Sequence, residues 1–285
     1  MGKWRLAAIA AVLIGIGAMH AAGAQEAGDV ARVATQAAKL IDGELGAQHV
    51  VMLGEIHGTE EIPAITGELA ARWTTGAGKK PLLLGLEAAS VDQSRVDRFL
   101  ASKGTAADRA NLLAGTHWNE QHHDGRDSQA MAALIERMRA LRAAGADVSI
   151  AMFDAPGAGE RDARMAASLR KAIGAHPTAR VLVLTGNVHA MTGKPHEMFL
   201  DDKPYTPPTT MARHIADLHP VSIEFRALRG DAWTCQDTCG RHPLPTGTRS
   251  MTGPTLERHD PGESWDYLLA LPRFTASPPA VSTGE

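Results

Sequence analysis

The chain has two cysteines, Cys235 and Cys239, and no others. Two thiols cannot complete a structural zinc site, which takes four ligands. In an oxidising compartment the pair reads as a disulfide closing a small loop. His242 nearby offers a metal reading, which ranks below the disulfide. The chain also lacks a basic tract. Its formal net charge is −3, so it carries no electrostatic footprint for nucleic acid. Two motifs of hydrolases are missing as well. Without G-x-S-x-G there is no nucleophile elbow, and without H-E-x-x-H no zincin helix. Gly76, Gly78, Lys79 and Lys80 hint at a phosphate loop, but their spacing is wrong. They also precede an apolar run, where a phosphate loop must follow one.

Nor is there an apolar run at the N-terminus long enough to cross a bilayer, which takes roughly 20 residues. The run over 6–18 follows Lys3 and Arg5 and leads into Ala22, Gly23 and Ala24. A positive start, a short apolar stretch and small residues of the A-x-A kind make a cleavable signal. The expectation is a signal peptide over 1–24 and a mature chain from Gln25, periplasmic or secreted, with no stable membrane insertion after cleavage. No cysteine stands at the cut, so a lipid anchor is not expected.

Four short apolar runs recur at 49–53, 81–84, 148–153 and 180–184. Their near-continuous hydrophobicity suits strands buried on both faces of a parallel sheet. Helical spacing fills the intervals, at 62–73, 91–100, 128–144 and 161–173. Over 128–144 the stripe Met131, Leu134, Ile135, Met138 and Leu141 steps by three and four. Alternating strands and helices predict an α/β fold with a mainly parallel central sheet flanked by helices. Further strands are expected at 221–227 and 267–271. No repeat or linker divides the chain, so one domain over 25–274 is expected. It would carry a loop insertion near 103–127, a disulfide-stapled surface excursion at 230–263 and a flexible tail at 275–285.

In an open parallel sheet, ligands bind at the carboxyl ends of strands. The four predicted strands run into Glu55 and His57, into Glu87, into Asp154, and into Asn187 and His189. Glu55 and His57 are two apart, so an extended backbone projects both to one side. Gly54, Gly58, Gly85 and Gly186 flank these residues and permit close backbone approach. Singly, each element has a plain structural reading. A Glu after a strand serves a helix N-terminus, and a lone His packs in a core. Four of them at equivalent strand ends point to a site. Asp154, Asn187, His117 and Arg126 are the accompanying candidates for substrate binding.

The sequence Gly54-Glu55-Ile56-His57-Gly58-Thr59, followed by Leu84-Gly85-Leu86-Glu87 and then Gly186-Asn187-Val188-His189-Ala190, resembles the erythromycin-esterase-like, ChaN-like and Tiki superfamily. Residues 118–141, with Ser128 opening a helix, are similar to its central helical region. The likeness spans roughly residues 45–228. It implies a single α/β domain of the EreA/ChaN-like kind, with Glu55, His57, Glu87 and His189 as the functional residues.

Those residue types support more than one chemistry. A His oriented by a carboxylate is a general base, and two such pairs allow water to be activated and a leaving group protonated. That suits hydrolysis of an ester or related acyl bond in a small molecule or peptide. The same four side chains can instead ligate a divalent metal, Zn, Mn or Fe, which lowers the pKa of a bound water. The resemblance implies His-activated water in esterase-like members and metal dependence in Tiki-like ones. The rival reading is haem binding, as the ChaN-like resemblance implies, with His122, His123, His196, His214 or His219 as axial ligands. Against it stand the missing lipoprotein cysteine and a Glu/His cluster larger than haem ligation requires.

Overall fold

The apolar runs become the middle of one seven-stranded sheet. The computed structural model describes residues 4–281, apart from 77, 120–122, 196–197, 201–202, 207 and 246–250, and only the backbone at 4–24, 198–200 and 203. In chain order the elements are α1 (Trp4–Leu45), β1 (Val50–Glu55), α2 (Glu61–Thr74), β2 (Leu82–Ala89), α3 (Gln93–Leu100), α4 (Ala106–Leu113), α5 (Gln129–Ala143), β3 (Val148–Asp154), α6 (Arg161–Ala175) and β4 (Arg180–Gly186). There follow β5 (Met198–Leu200), β6 (Lys203–Tyr205), α7 (Met211–His214), β7 (Val221–Ala227), β8 (Asp231–Cys235), β9 (Cys239–Pro243), β10 (Thr255–Arg258) and β11 (Tyr267–Leu271). Among the described residues, no helix is long and apolar enough to cross a membrane.

The sheet order is β10-β11-β7-β1-β4-β2-β3, parallel throughout except for the β10–β11 pair. This is the expected mixed α/β domain with a mostly parallel sheet flanked by helices. Successive side chains leave a strand on opposite faces. Val51, Leu53, Leu82, Leu84, Leu182 and Leu184 therefore enter one core, and Met52, Leu83, Val181 and Val183 the other. Helices α1, α2, α3 and α5 cover the first face, and α6 and α7 the second. Both faces being covered explains why these strands read as unbroken apolar runs.

The path of the chain fixes where a cleft can form. From β1 it passes through α2 over β4 to β2. From β3 it returns through α6 over β2 to β4, then crosses β1 to reach β7. Right-handed crossovers that reverse direction must place their helices on opposite faces, as α2 and α6 are. Adjacent strands β1 and β4 thus send their connections opposite ways, which opens a crevice at their carboxyl ends.

The structure corrects several expected boundaries. Residues 103–127 are not one loop, because Thr105 and Asp108 form a capping box that starts α4. The 230–263 segment is not wholly a surface excursion, because β10 within it pairs with β11 in the main sheet. Its β8–β9 hairpin holds the Cys235–Cys239 disulfide. Nor does the chain fray after residue 274. The Glu60 and Ser277 amides donate to the carbonyls of Thr275 and Gly58, Gln129 N–H donates to Pro278, and Ser277 is buried. Residues 282–285 lie outside the described residues.

The outer edge strand β3 is closed by a side chain. Gln93 donates from Nε2 to the Ile150 carbonyl at 2.8 Å and accepts from the Met152 amide at 2.8 Å. Its amide group thus stands where a neighbouring strand's peptide would stand.

Candidate functional site

Register sets the floor. Glu55 in β1 pairs with Gly186 in β4, and Leu86 in β2 pairs with Leu184. Past Leu86 the β2–β3 register shifts, so Glu87 sits at an irregularity inside β2 rather than after the strand as expected. Such bulges re-aim a side chain. Glu87 turns over β4, where its Oε2 accepts from Thr185 Oγ1 at 2.6 Å and from the Gly186 amide at 2.7 Å. Gly186 leaves room for the three side chains that meet above it. A Cβ there would lie 3.0 Å from His57 Nε2, 3.4 Å from Glu87 Oε2 and 3.4 Å from His189 Cδ2. Gly85, by contrast, faces Leu169 and Phe153 in the second core and serves helix packing, not the site.

Both expected histidines stand over that floor. His57 Nδ1 donates to Glu55 Oε1 at 3.0 Å, and its Nε2 lies 3.9 Å from Glu87 Oε1. His189 Nε2 lies 3.9 Å from the same Glu87 oxygen. Glu55 and Glu87 are buried, and both rings are about one-fifth exposed, at 23% and 21%. Glu55, His57, Glu87 and His189, predicted from three separate segments, therefore share one rim.

The two rings differ in their surroundings. Burial works against a charged His57, but Glu55, then Glu87 and Asp124, outweigh it and push its pKa up to about 9. Burial likewise opposes the Glu87 anion, but His57, His189 and Arg161 turn towards it and hold it well below the usual carboxylate range. His189 Nε2 meets Arg161 Nη1 at 2.9 Å. A guanidinium can only donate, so Nε2 is the acceptor and keeps its lone pair. Nδ1 on the other side of that ring lies 2.8 Å from Asp162 Oδ1.

Arg161, Asp162 and Asp124 are site residues the sequence reading missed. Arg161 opens α6 and donates to Glu87 Oε1 at 2.7 Å and to Asp154 Oδ2 at 2.7 Å. A cation in the first turn of a helix opposes the dipole, and that mismatch in the sequence was the available signal. Asp124 lies in the loop before α5 and holds Arg126 Nε through both oxygens. Of the candidates for substrate binding, Asp154 and Arg126 do reach the rim. Arg126 Nη1 is 3.3 Å from Asp154 Oδ2 and 3.9 Å from Glu87 Oε1. Asn187 is tied in by its backbone, its amide donating to the Glu55 carbonyl and its own carbonyl accepting from Trp265 Nε1. His117 does not face the cleft. It is buried, and its Nε2 donates to the Arg126 carbonyl at 3.2 Å, while burial and Arg126 hold its pKa below the usual value.

The disulfide hairpin braces the rim from outside. Trp233 donates its amide to the Gly58 carbonyl and its indole N–H to the His123 carbonyl. Gly58 has a φ of +71°, and any Cβ there would run into the Trp233 carbonyl. The loops bearing His57 and Asp124 thus share one support.

The donor set does not fit a divalent metal. Glu55 Oε1 is bonded to His57, Glu87 is engaged through both oxygens, and a guanidinium sits between Glu87, Asp154 and His189. Among the described residues, no group of three or more His, Cys, Asp or Glu is arranged to hold a metal ion. Among the described residues, the histidines expected as haem ligands do not join this rim. His123 Nδ1 is taken by Asp127, and His214 and His219 belong to α7 and the turn after it. Among the described residues none of these three is a partner of Glu87, His57 or His189. His122 and His196 lie outside the described residues.

No family model matches the sequence, and no curated protein matches it either. Solved structures do. The erythromycin esterase EreC, as a mutant in its open conformation, superposes with a TM-score of 0.60 at 12% identity, over 86% of this chain and 95% of that one. The fold is erythromycin-esterase-like. A succinoglycan biosynthesis protein matches this chain with a TM-score of 0.55 at 10% identity, covering 83% of it and 91% of the other. A Bacillus cereus protein matches with a TM-score of 0.54 at 11% identity, over 83% and 91%. At these identities the likeness concerns the fold alone.

Proposed function

We propose that this erythromycin-esterase-like chain is an exported hydrolase that cleaves an ester or related acyl bond in a small molecule or peptide. The observation that carries the reading is the pair of histidines that meet over one carboxylate oxygen of Glu87, each with its Nε2 3.9 Å away, His57 backed by Glu55 and His189 facing Arg161. Different hydrogen-bond partners on the two rings assign an acid and a base. His57, facing carboxylates at both ring nitrogens, is the acid. His189, with its lone pair on Nε2, is the base.

In this scheme the incoming water displaces Arg161 Nη1 from His189 Nε2 and gives that nitrogen a proton as the water oxygen bonds to the acyl carbon. The tetrahedral intermediate collapses by breaking the bond from the acyl carbon to the leaving oxygen, which takes the proton of His57 Nε2. Solvent exchange then returns the two rings to their starting states. Glu55 orients His57 and stabilises its charge, Asp162 faces the far side of His189, and Arg126 with Asp154 lines the entrance. The fold supports a small-molecule substrate, and the two guanidinium groups at the rim offer donors to its carbonyl oxygen.

A panel of aryl and alkyl esters and short peptides tests the reading, and the pH profile tests the assignment. With His57 as the acid, kcat/KM on an active ester falls as pH rises through about 9, because the imidazolium is lost there. A rate that climbs through that range would make His57 the base and reverse the roles. A panel with no substrate turned over above the buffer rate would sink the hydrolase reading.

Export rests on the N-terminal pattern and on the Cys235–Cys239 disulfide, which fits an extracellular protein. The working domain then runs from Gln25 and keeps the part of α1 from that residue to Leu45. Sequencing of the exported protein is expected to start at or near Gln25. An intact Met1 on protein recovered from the cytoplasm alone would remove this part of the proposal.

A further inference from the structure

We propose that the Arg161 guanidinium is a built-in cation standing in the position of a divalent metal, so that the cleft works without one. The inference rests on the hydrolytic reading for its purpose but not for its test. One side chain engages a glutamate, an aspartate and a histidine at once. Arg161 Nη2 is 2.7 Å from Glu87 Oε1 and 2.7 Å from Asp154 Oδ2, and Nη1 is 2.9 Å from His189 Nε2. Two carboxylates and an imidazole are a common donor set for Zn or Mn. Here all three are directed at nitrogen atoms of the protein itself.

The placement is enforced. Arg161 is the first residue of α6, where the helix dipole disfavours a positive charge, and Glu87 and Asp154 offset that cost. The chain enters α6 through Gly157 and Gly159, with φ of +146° and +91°, values that side chains rarely adopt. The spacing of the donors also belongs to the guanidinium. Glu87 Oε1 stands 3.9 Å from both His189 Nε2 and His57 Nε2. Ligands at about 2.1 Å in a tetrahedron would stand about 3.4 Å apart. A planar fork with several N–H groups spans that gap with the donors where they stand, whereas an ion would have to draw them together. Arg126 adds a second guanidinium 3.3 Å from Asp154, and repels any further cation.

A metal differs from a guanidinium in one respect that can be measured. A metal leaves with chelators and can be exchanged, whereas Arg161 can be removed only by mutation. The probe is Co2+, titrated into the full purified chain and followed by its visible absorption. Wild type is expected to show no Co2+ binding that His189→Ala abolishes. Arg161→Ala empties the position, and the three donors are expected to close on about one Co2+ per chain, with the signal lost again in Arg161→Ala/His189→Ala. Arg161→Lys keeps a cation there and is expected to behave as wild type. The proposal is overturned by wild-type Co2+ binding that depends on His189, or by a folded Arg161→Ala that gains none. If Arg161→Ala does not fold, the wild-type and Arg161→Lys titrations decide. Where an ester substrate is in hand, chelator-treated wild type is expected to keep its full rate, and a rate lost to the chelator and restored by Zn2+ or Mn2+ also overturns it. Should no ester be cleaved, the hydrolase reading fails while the Co2+ titration still gives its answer.

Discussion

Turnover falls by about a hundredfold or more in His57→Ala and in His189→Ala, while both variants stay folded. Removing a general acid or base costs on that order, because proton transfer must then come from bulk water. The fold survives because neither ring is part of a core. Both stand at the rim, about one-fifth exposed, and the cores are built from the strand side chains beneath them. The double variant should be little slower than either single one, since two groups acting in one proton relay are not additive. Circular dichroism and steady-state kinetics on the same preparations check this. Two histidine variants that each retain near wild-type kcat/KM would show that the chemistry lies elsewhere.

Glu87→Ala behaves differently, losing both rate and stability. Its carboxylate is buried and bonded to the Thr185 hydroxyl, the Gly186 amide and Arg161, with His57, His189 and Arg126 around it. Truncation leaves a buried amide without an acceptor and cations without their shared counterion. Breaking a buried pair from one side costs about 3–5 kcal/mol, and the lower figure applies because Arg161 is 37% exposed. Urea unfolding would read the loss as a shift in midpoint at constant slope. Glu87→Gln keeps the shape and one acceptor oxygen, so it should recover part of the stability but little of the rate. In both variants the His57 pKa should drop from about 9, because one of the carboxylates that raise it is gone. Imidazole proton shifts in NMR follow that directly. An unmoved His57 pKa in Glu87→Ala would mean that Glu55 and Asp124 set its charge without Glu87.

The parts of this architecture that were legible in the sequence are those with a strong physical period or a fixed position on a strand. Runs such as 180–184 are apolar at every residue because both faces of β4 are buried, and the strand ends follow from where those runs stop. The Gly-flanked Glu and His residues announced the rim because a polar residue directly after a buried strand must find a partner. What was not legible depends on chain segments meeting at a distance. Arg161 at the start of a helix shows only a charge out of place, and nothing local says that Glu87 and Asp154 await it. His117 and Arg126 are nine residues apart in one polar segment, and only the fold shows that one faces the cleft while the other supports its backbone. The 275–281 segment has the Pro- and Ser-rich composition of a frayed end, yet Ser277 and Thr275 donate backbone hydrogen bonds to Gly58 and Glu61. Composition describes a segment's own preferences and is silent on what the rest of the molecule offers it.

The Gln93 side chain has a consequence for how these molecules behave in a crowd. A parallel sheet that ends on an uncovered strand offers its unpaired peptide groups to any passing chain, including another copy of itself. Gln93 answers from within, one amide supplying both a donor to Ile150 and an acceptor to Met152. The seal costs little ordering, because Gln93 is the first residue of α3 and its backbone is already fixed. An incoming strand would have to break both bonds before making its first, so growth of the sheet by recruitment is disfavoured at its initial step.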